Sequence, residues 1–271
     1  MDKKKGSLNV ITAIVSRIIL LIVALIVRRA VIQHLGNDVN GLNSLYTSII
    51  GMLAVVELGV GSAITYSMYK PIVDGDERQV SALYQLYKHL YMLIGAVIFV
   101  CGLIVLPFLP KFINDYEALS FNVCIPFLLT LVSVVLTYFY GAKISLIQAH
   151  KNNYITTGIV FAASLIRYVL QLITILIWRS YTIYLICQII ETLIIWLLTE
   201  LVVWKRYREV IAGSKTEIDI VTKAEIKKNI KAMFMHKVGT VLVNTIDSLI
   251  ISAFIGVVIL GKYSKIGRAH V

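Results

Sequence analysis

The chain has 271 residues, 58% hydrophobic and only 15% charged, with a formal charge of +11 and a mean hydropathy of +0.83. Soluble globular domains hold about 45–50% apolar and about 25% charged residues, so the apolar surplus must face lipid, and the same figures exclude disorder. With 16 Gly, 4 Pro and 3 Cys, collagen-like and disulfide-framed classes fall away; Cys101, Cys124 and Cys187 sit in apolar runs without ligand-like spacing.

A helix crossing a hydrocarbon core of about 30 Å needs about 20 mostly apolar residues, and seven such runs occur. The first, Leu8 to Val27, follows Lys3, Lys4 and Lys5. It is too long for a signal peptide and lacks a small-residue cleavage site, so it reads as a retained helix. The second, Leu42 to Tyr69, contains Glu57-Leu58-Gly59-Val60-Gly61-Ser62-Ala63. Its small residues either admit a close neighbour or weaken the helix, and a break would leave free backbone groups beside Glu57. Asp74-Gly75-Asp76 reads as a turn before an acidic helix N-terminus, in preference to the paired-aspartate metal motif of sugar transferases. Val80, Leu83, Tyr84 and Tyr87 recur at helical spacing, which predicts an amphipathic surface helix over Glu77 to Lys88.

The third to sixth spans are Leu90 to Leu109, Phe121 to Ile147, Tyr154 to Trp178 and Thr182 to Trp204, the last two joined by a tight hairpin at Arg179-Ser180-Tyr181. Thr222-Lys223-Ala224-Glu225 has the capping-box pattern of a helix start and leads into the seventh span, Val238 to Leu260. The expected fold is an all-α polytopic membrane protein: a six-helix transmembrane lobe plus a seventh transmembrane helix, with the N-terminus cytosolic. The expected divisions are a lobe over 1–205, a cytosolic linker with an amphipathic helix over 206–232, and the first helix of a truncated second lobe over 233–264.

With that orientation, sixteen Lys and Arg fall on the cytosolic side and four, Arg28, Arg29, Lys111 and Arg179, on outer loops before the seventh span. The charge therefore reads as topology and contact with anionic membrane lipids, and no nucleic-acid partner is expected. Charges inside apolar spans cost at least about 2.5–3.5 kcal/mol each and usually face a protein interior or a wet cavity. Arg17, Glu57, Arg167, Glu191 and Asp247 stand on five different spans. On the fifth, Thr157, Ser164, Arg167, Gln171 and Thr174 share one helical face; Thr240, Asn244 and Asp247 do so on the seventh, with Lys237 near its edge. Two readings are open, a hydrated transport cavity or structural pairing such as Arg17 with Glu57, and five charges on five helices favour the cavity. No nucleophile elbow, phosphate-cradling loop or zinc spacing is present, so neither an enzyme nor a cofactor is expected.

Several strings carry a family resemblance. Leu35-Gly36, Gly41-Leu42-Asn43-Ser44-Leu45-Tyr46, Glu57 to Ile64 and Tyr66-Ser67-Met68-Tyr69-Lys70-Pro71 resemble the start of Wzx-like polysaccharide repeat-unit flippases of the multidrug/oligosaccharidyl-lipid/polysaccharide exporter superfamily. Asn244 to Ser252 and Gly261-Lys262-Tyr263-Ser264 are similar to that family's seventh span and the segment after it. The resemblance implies two six-helix lobes that rock by alternating access and move an undecaprenyl-diphosphate-linked oligosaccharide across the bacterial cytoplasmic membrane, with a C-terminal lobe as the partner of this one. The polar faces and buried charges fit that activity: Arg17 and Arg167, with Gln171 and Asn244, are the expected substrate contacts, and Glu57, Glu191 and Asp247 the expected ion-coupling or cavity-lining residues. A multidrug cation antiporter of the same superfamily is the alternative, and would favour acidic and aromatic cavity residues; a membrane-embedded polysaccharide polymerase would need a large outer loop.

The last residues, Ile266 to Val271, are what ATC GGA AGA GCA CAC GTC encodes, the start of a common sequencing-library adapter. Native sequence is accordingly expected to end near Ser264, with 265–271 as read-through and the whole as the N-terminal half of a longer transporter.

Overall fold

The computed structural model describes residues 2–57, 59–114, 122–213, 218 and 220–266. The side chains of Lys237, Thr240 and Asn244, expected on the polar face of the seventh span, lie outside the described residues, as does 267–271 of the tail. The described elements are α1 (Asp2–His34), α2 (Asn37–Leu53), α3 (Val60–Asp74), α4 (Glu77–Val105), α5 (Cys124–Ala149), α6 (Asn153–Ile177), α7 (Tyr181–Arg206), α8 (Arg208–Ala212), α9 (Ile220–Phe254) and α10 (Val257–Ile266), with no strand among the described residues. Among the described residues, five stretches are long and apolar enough to cross a bilayer: Asn9–His34, Glu77–Phe112, Cys124–Ala149, Asn153–Ile177 and Tyr181–Arg206. The protein is an all-α, multi-pass membrane protein. Lipid is the only plausible solvent for the row Val10, Ile14, Ile18, Leu21 and Leu25 on α1, each at least half exposed.

The second and seventh expected spans are broken helices. α2 tightens into a 3-10 turn over Ala54–Glu57, Gly59 takes φ 92, and α3 begins at Val60. That left-handed backbone is open to glycine and strained for a residue with a Cβ. α9 likewise ends at Phe254, and Gly256 at φ 114 redirects the chain into α10.

Other boundaries differ for local reasons. α1 continues to His34, so Arg28 and Arg29 are helical residues and not loop residues. The stretch Glu77 to Lys88 is no separate surface helix. It is the first three turns of α4, with Val80, Leu83, Tyr84 and Tyr87 buried in protein; the Asp76 side chain starts the helix by accepting from the Gln79 amide at 3.0 Å. Thr222 falls inside α9, which starts at Ile220. The turn at Asp74-Gly75-Asp76 forms as expected, with Gly75 at φ 73 and the Asp76 amide donating to the Pro71 carbonyl at 2.9 Å. So does the hairpin after α6, where the Trp178 and Arg179 amides both donate to the Thr174 carbonyl at 3.0 Å.

Neighbours run in the order α1, α6, α7, α5, α4, with α3 packed into the angle between α4 and α5 and α2 against α10. Asn9 ties the start of α1 to the α5–α6 turn: its side chain donates to the Lys151 carbonyl at 3.1 Å and accepts from the Tyr154 amide at 2.7 Å. Behind α7, Tyr207 accepts from the Asn152 amide at 2.8 Å. Burial raises the Tyr207 pKa, and that hydrogen bond opposes the rise.

α1–Gly36–α2 and α9–Gly256–α10 are copies of one arrangement. Each pair of helices is joined through a glycine of positive φ, 100 at Gly36 and 114 at Gly256, and each second helix carries a further glycine five residues on, Gly41 and Gly261. These two meet reciprocally. A Cβ on Gly41 would lie 1.9 Å from the Val257 carbonyl oxygen, and one on Gly261 would lie 1.9 Å from that of Asn37. Asn37 and Val257 hold equivalent places, so α2 and α10 are related by a local two-fold at a backbone-to-backbone contact that only glycine permits. Around it, the Asn40 amide donates to the Gly261 carbonyl at 2.8 Å and to Ser264 Oγ at 2.9 Å, and the Arg28 guanidinium donates to the Ser264 carbonyl.

Candidate substrate cleft

The break after Glu57 has a structural consequence. Where α2 stops and α3 starts, the Glu57 carboxylate turns toward α4 and α5, and both of its oxygens accept phenol hydroxyls: Oε1 from Tyr91, Oε2 from Tyr138 at 2.8 Å. Tyr87 stands edge-on to Tyr91 with ring centroids 4.3 Å apart and accepts from Ser145 at 3.2 Å. The aromatic cluster fits because glycines face it. A Cβ on Gly61 would come within 2.3 Å of the Tyr87 hydroxyl and 2.5 Å of that of Tyr91, and one on Gly141 within 2.6 Å of the Tyr91 ring. Gly61→Val or Gly141→Val should therefore displace the rings and cost about 1–3 kcal/mol as overpacking. Thermal melting in detergent checks this, and an unchanged midpoint would show that the cluster is loose.

Glu57 borders an open cleft of about 410 Å³, which Ser62, Thr65, Tyr66, Tyr69 and Gln148 also line. That volume lies within the usual range for ligand pockets, about 300–1,000 Å³. Beside it, a smaller cleft of about 240 Å³ between α1, α5 and α6 holds Arg17, with Ser16, Thr156 and Thr157, and Gln148 lines both. Arg17 is exposed, and no ion pair or hydrogen bond holds it among the described residues. Arg17 and Glu57 thus do not neutralise each other; they present opposite charges to adjoining clefts.

The other expected site residues are placed differently. Arg167 and Glu191 pair across α6 and α7, Nε to Oε2 at 2.7 Å, each side chain 16% exposed. Nε–H points off the oxygen, so the contact is ionic more than hydrogen-bonded. Ser164 donates to Glu191 Oε1 at 2.5 Å, Arg167 donates to Gln171 at 3.2 Å, and Gln171, fully buried, donates to the Tyr184 carbonyl at 3.2 Å. Much of the polar stripe of the fifth span is therefore a seam between two helices, while Thr157 stands on a cleft wall. Asp247 is exposed and accepts from Tyr263 at 3.2 Å; Asn244 lies outside the described side chains.

Tyr91 and Tyr138 were not among the residues expected from the sequence. A signal existed: Tyr84, Tyr87 and Tyr91 lie on one face of a helix by spacing, with glycine at position 95. Their role depends on Glu57, more than thirty residues earlier in the chain, and only the fold brings it to them.

No curated protein and no solved structure matches the chain significantly. A family model described as polysaccharide biosynthesis protein matches residues 7–269. A broken second helix with a carboxylate at the break, an arginine in the first helix with no ion pair or hydrogen bond among the described residues and open clefts with polar groups on their walls suit a membrane carrier of that kind. The chain belongs to the polysaccharide biosynthesis protein family, that of the Wzx-like flippases and polysaccharide exporters.

Proposed function

We propose that the protein flips an undecaprenyl-diphosphate-linked oligosaccharide across the bacterial cytoplasmic membrane, without catalysing a covalent step and with no cofactor, as one lobe of an alternating-access carrier. The observation that carries this reading is Arg17. A cation near the middle of a lipid-exposed helix is costly, and this one is exposed, unpaired among the described residues, and opens onto a cleft that Ser16, Gln148, Thr156 and Thr157 line together with apolar side chains. Guanidinium is the side chain best matched to a diphosphate. The lipid tail would stay in the bilayer beside the apolar face of α1. The glycine contact between α2 and α10 fits closure at the outer end while the clefts stay open, given the cytosolic N-terminus expected from the lysines.

The test uses the carrier with both lobes in liposomes with a fluorescent polyprenyl-diphosphate sugar, and tracks its movement by chemical quenching from outside. Arg17→Ala should slow transfer about tenfold or more, by loss of a charge-assisted contact, and Arg17→Lys should recover part of it. Transfer at the unmodified rate with Arg17→Ala overturns the reading. A second reading, export of an organic cation, is favoured by one observation, the carboxylate among tyrosines at Glu57; uptake of a tetraphenylphosphonium probe in the same liposomes, with no lipid transfer, would select it.

A further inference from the structure

We infer that the Glu57 cleft seats a sugar unit of the transported glycan and selects an uncharged or amino-bearing sugar over one carrying a carboxylate. This rests on the transport reading above and assigns the part of the substrate that Arg17 does not reach.

A sugar ring offers hydroxyls around its edge and C–H groups on its faces, so a site for it needs planar hydrogen-bonding groups and accessible aromatic rings. The cleft has both. Glu57, Gln148, Ser62 and Thr65 supply carboxylate, amide and hydroxyl groups. Tyr66 and Tyr69, one turn apart on α3, supply the rings, 68% and 43% exposed, with centroids 6.0 Å apart and planes at 79°. The two ring planes thus stand at nearly right angles on the cleft wall. Neither ring belongs to the packed tyrosine cluster, and a protein interior gives them no use.

The charge arrangement sets the preference. Glu57 is the carboxylate on the cleft wall, and the tyrosine hydroxyls that hold it fix its position, so a second carboxylate brought within a few ångströms meets a like charge in a partly desolvated place. An amino group or a neutral hydroxyl meets an acceptor. Arg17 lies in the adjoining cleft, and Gln148 borders both. A diphosphate at Arg17 and a sugar at Glu57 can therefore belong to one ligand.

The experiment measures binding to the detergent-purified protein of four probes: a short polyprenyl diphosphate, and the same lipid bearing glucose, glucosamine or glucuronic acid. The glucose and glucosamine probes should bind about tenfold tighter than the bare diphosphate, and the glucuronic acid probe about tenfold weaker than glucose. Tyr66→Ala/Tyr69→Ala, which alters exposed rings only, should remove the gain from the sugar and leave bare diphosphate binding as it was. Glu57→Gln should erase the handicap of glucuronic acid. Equal affinity for all four probes, unmoved by these variants, overturns the sugar site while leaving the transport reading intact. Failure of every probe to bind overturns the transport reading, and the sugar site with it.

Discussion

Gly41→Leu drives α2 and α10 apart. At Gly41 an added Cβ would stand 1.9 Å from the Val257 carbonyl oxygen, 2.8 Å from its carbon and 3.0 Å from the Gly261 amide nitrogen. All three atoms are backbone, so no rotamer change relieves the clash; the helices must separate. Side-chain-mediated packing sets helix axes about 8–10 Å apart, and a paired-glycine contact brings them closer than that. The substitution should therefore widen the gap by about 2 Å or more, and break the hydrogen bonds from Asn40 to Gly261 and Ser264. Spin labels on Thr47 and Lys262, both exposed, report the separation, and thermal melting reports the loss of packing. Gly261→Leu should have the same effect, because the contact is reciprocal. An unchanged distance in both variants would show that α2 and α10 do not meet through these glycines.

Arg167→Ala should destabilise the protein by about 3–5 kcal/mol, the usual effect of removing one member of a buried ion pair. The reason is the state of the groups left behind. Glu191 keeps one hydroxyl donor, Ser164, and loses the cation 2.7 Å from its other oxygen, in a helix that crosses lipid. Gln171 loses the guanidinium on its carbonyl oxygen while its amide stays committed to Tyr184. Arg167→Ala/Glu191→Gln removes both charges and should recover most of the stability, since the cost lies in an uncompensated charge and not in the absence of the pair. Melting midpoints of the two single variants and the double variant, in one detergent, close the cycle. A double variant no more stable than Arg167→Ala would mean that Arg167 acts on something other than Glu191.

Part of the fold was legible in the sequence, and the rest was not. Run length and composition sufficed for five of the seven expected spans, because a bilayer imposes one length and one polarity on any helix that crosses it, and the other two proved to be broken helices. Glycine positions stood out, but the letters left two readings open at Gly59, a break or a close neighbour. The fold gives both, at different glycines: a break at Gly59 and aromatic contact at Gly61. The amphipathic stretch from Glu77 was correctly read as helical and wrongly partnered. An apolar face looks the same whether lipid or protein covers it, and here α8 and the rest of the lobe do.

The charged residues show the limit most clearly. Sequence alone placed Arg17, Glu57, Arg167, Glu191 and Asp247 inside apolar segments, and with that the class of the protein and the existence of interior polar groups. It could not say which charges face one another, because projection on a single helix gives direction but no partner. Only the tertiary structure decided that Arg167 is neutralised by Glu191 across a helix seam, that Glu57 is held by Tyr91 and Tyr138, and that Arg17 opens onto a cleft with no ion-pair partner among the described residues. Hydropathy is a property of each residue and survives in the linear chain; charge compensation belongs to pairs, and pairs exist only once helices far apart in sequence have packed.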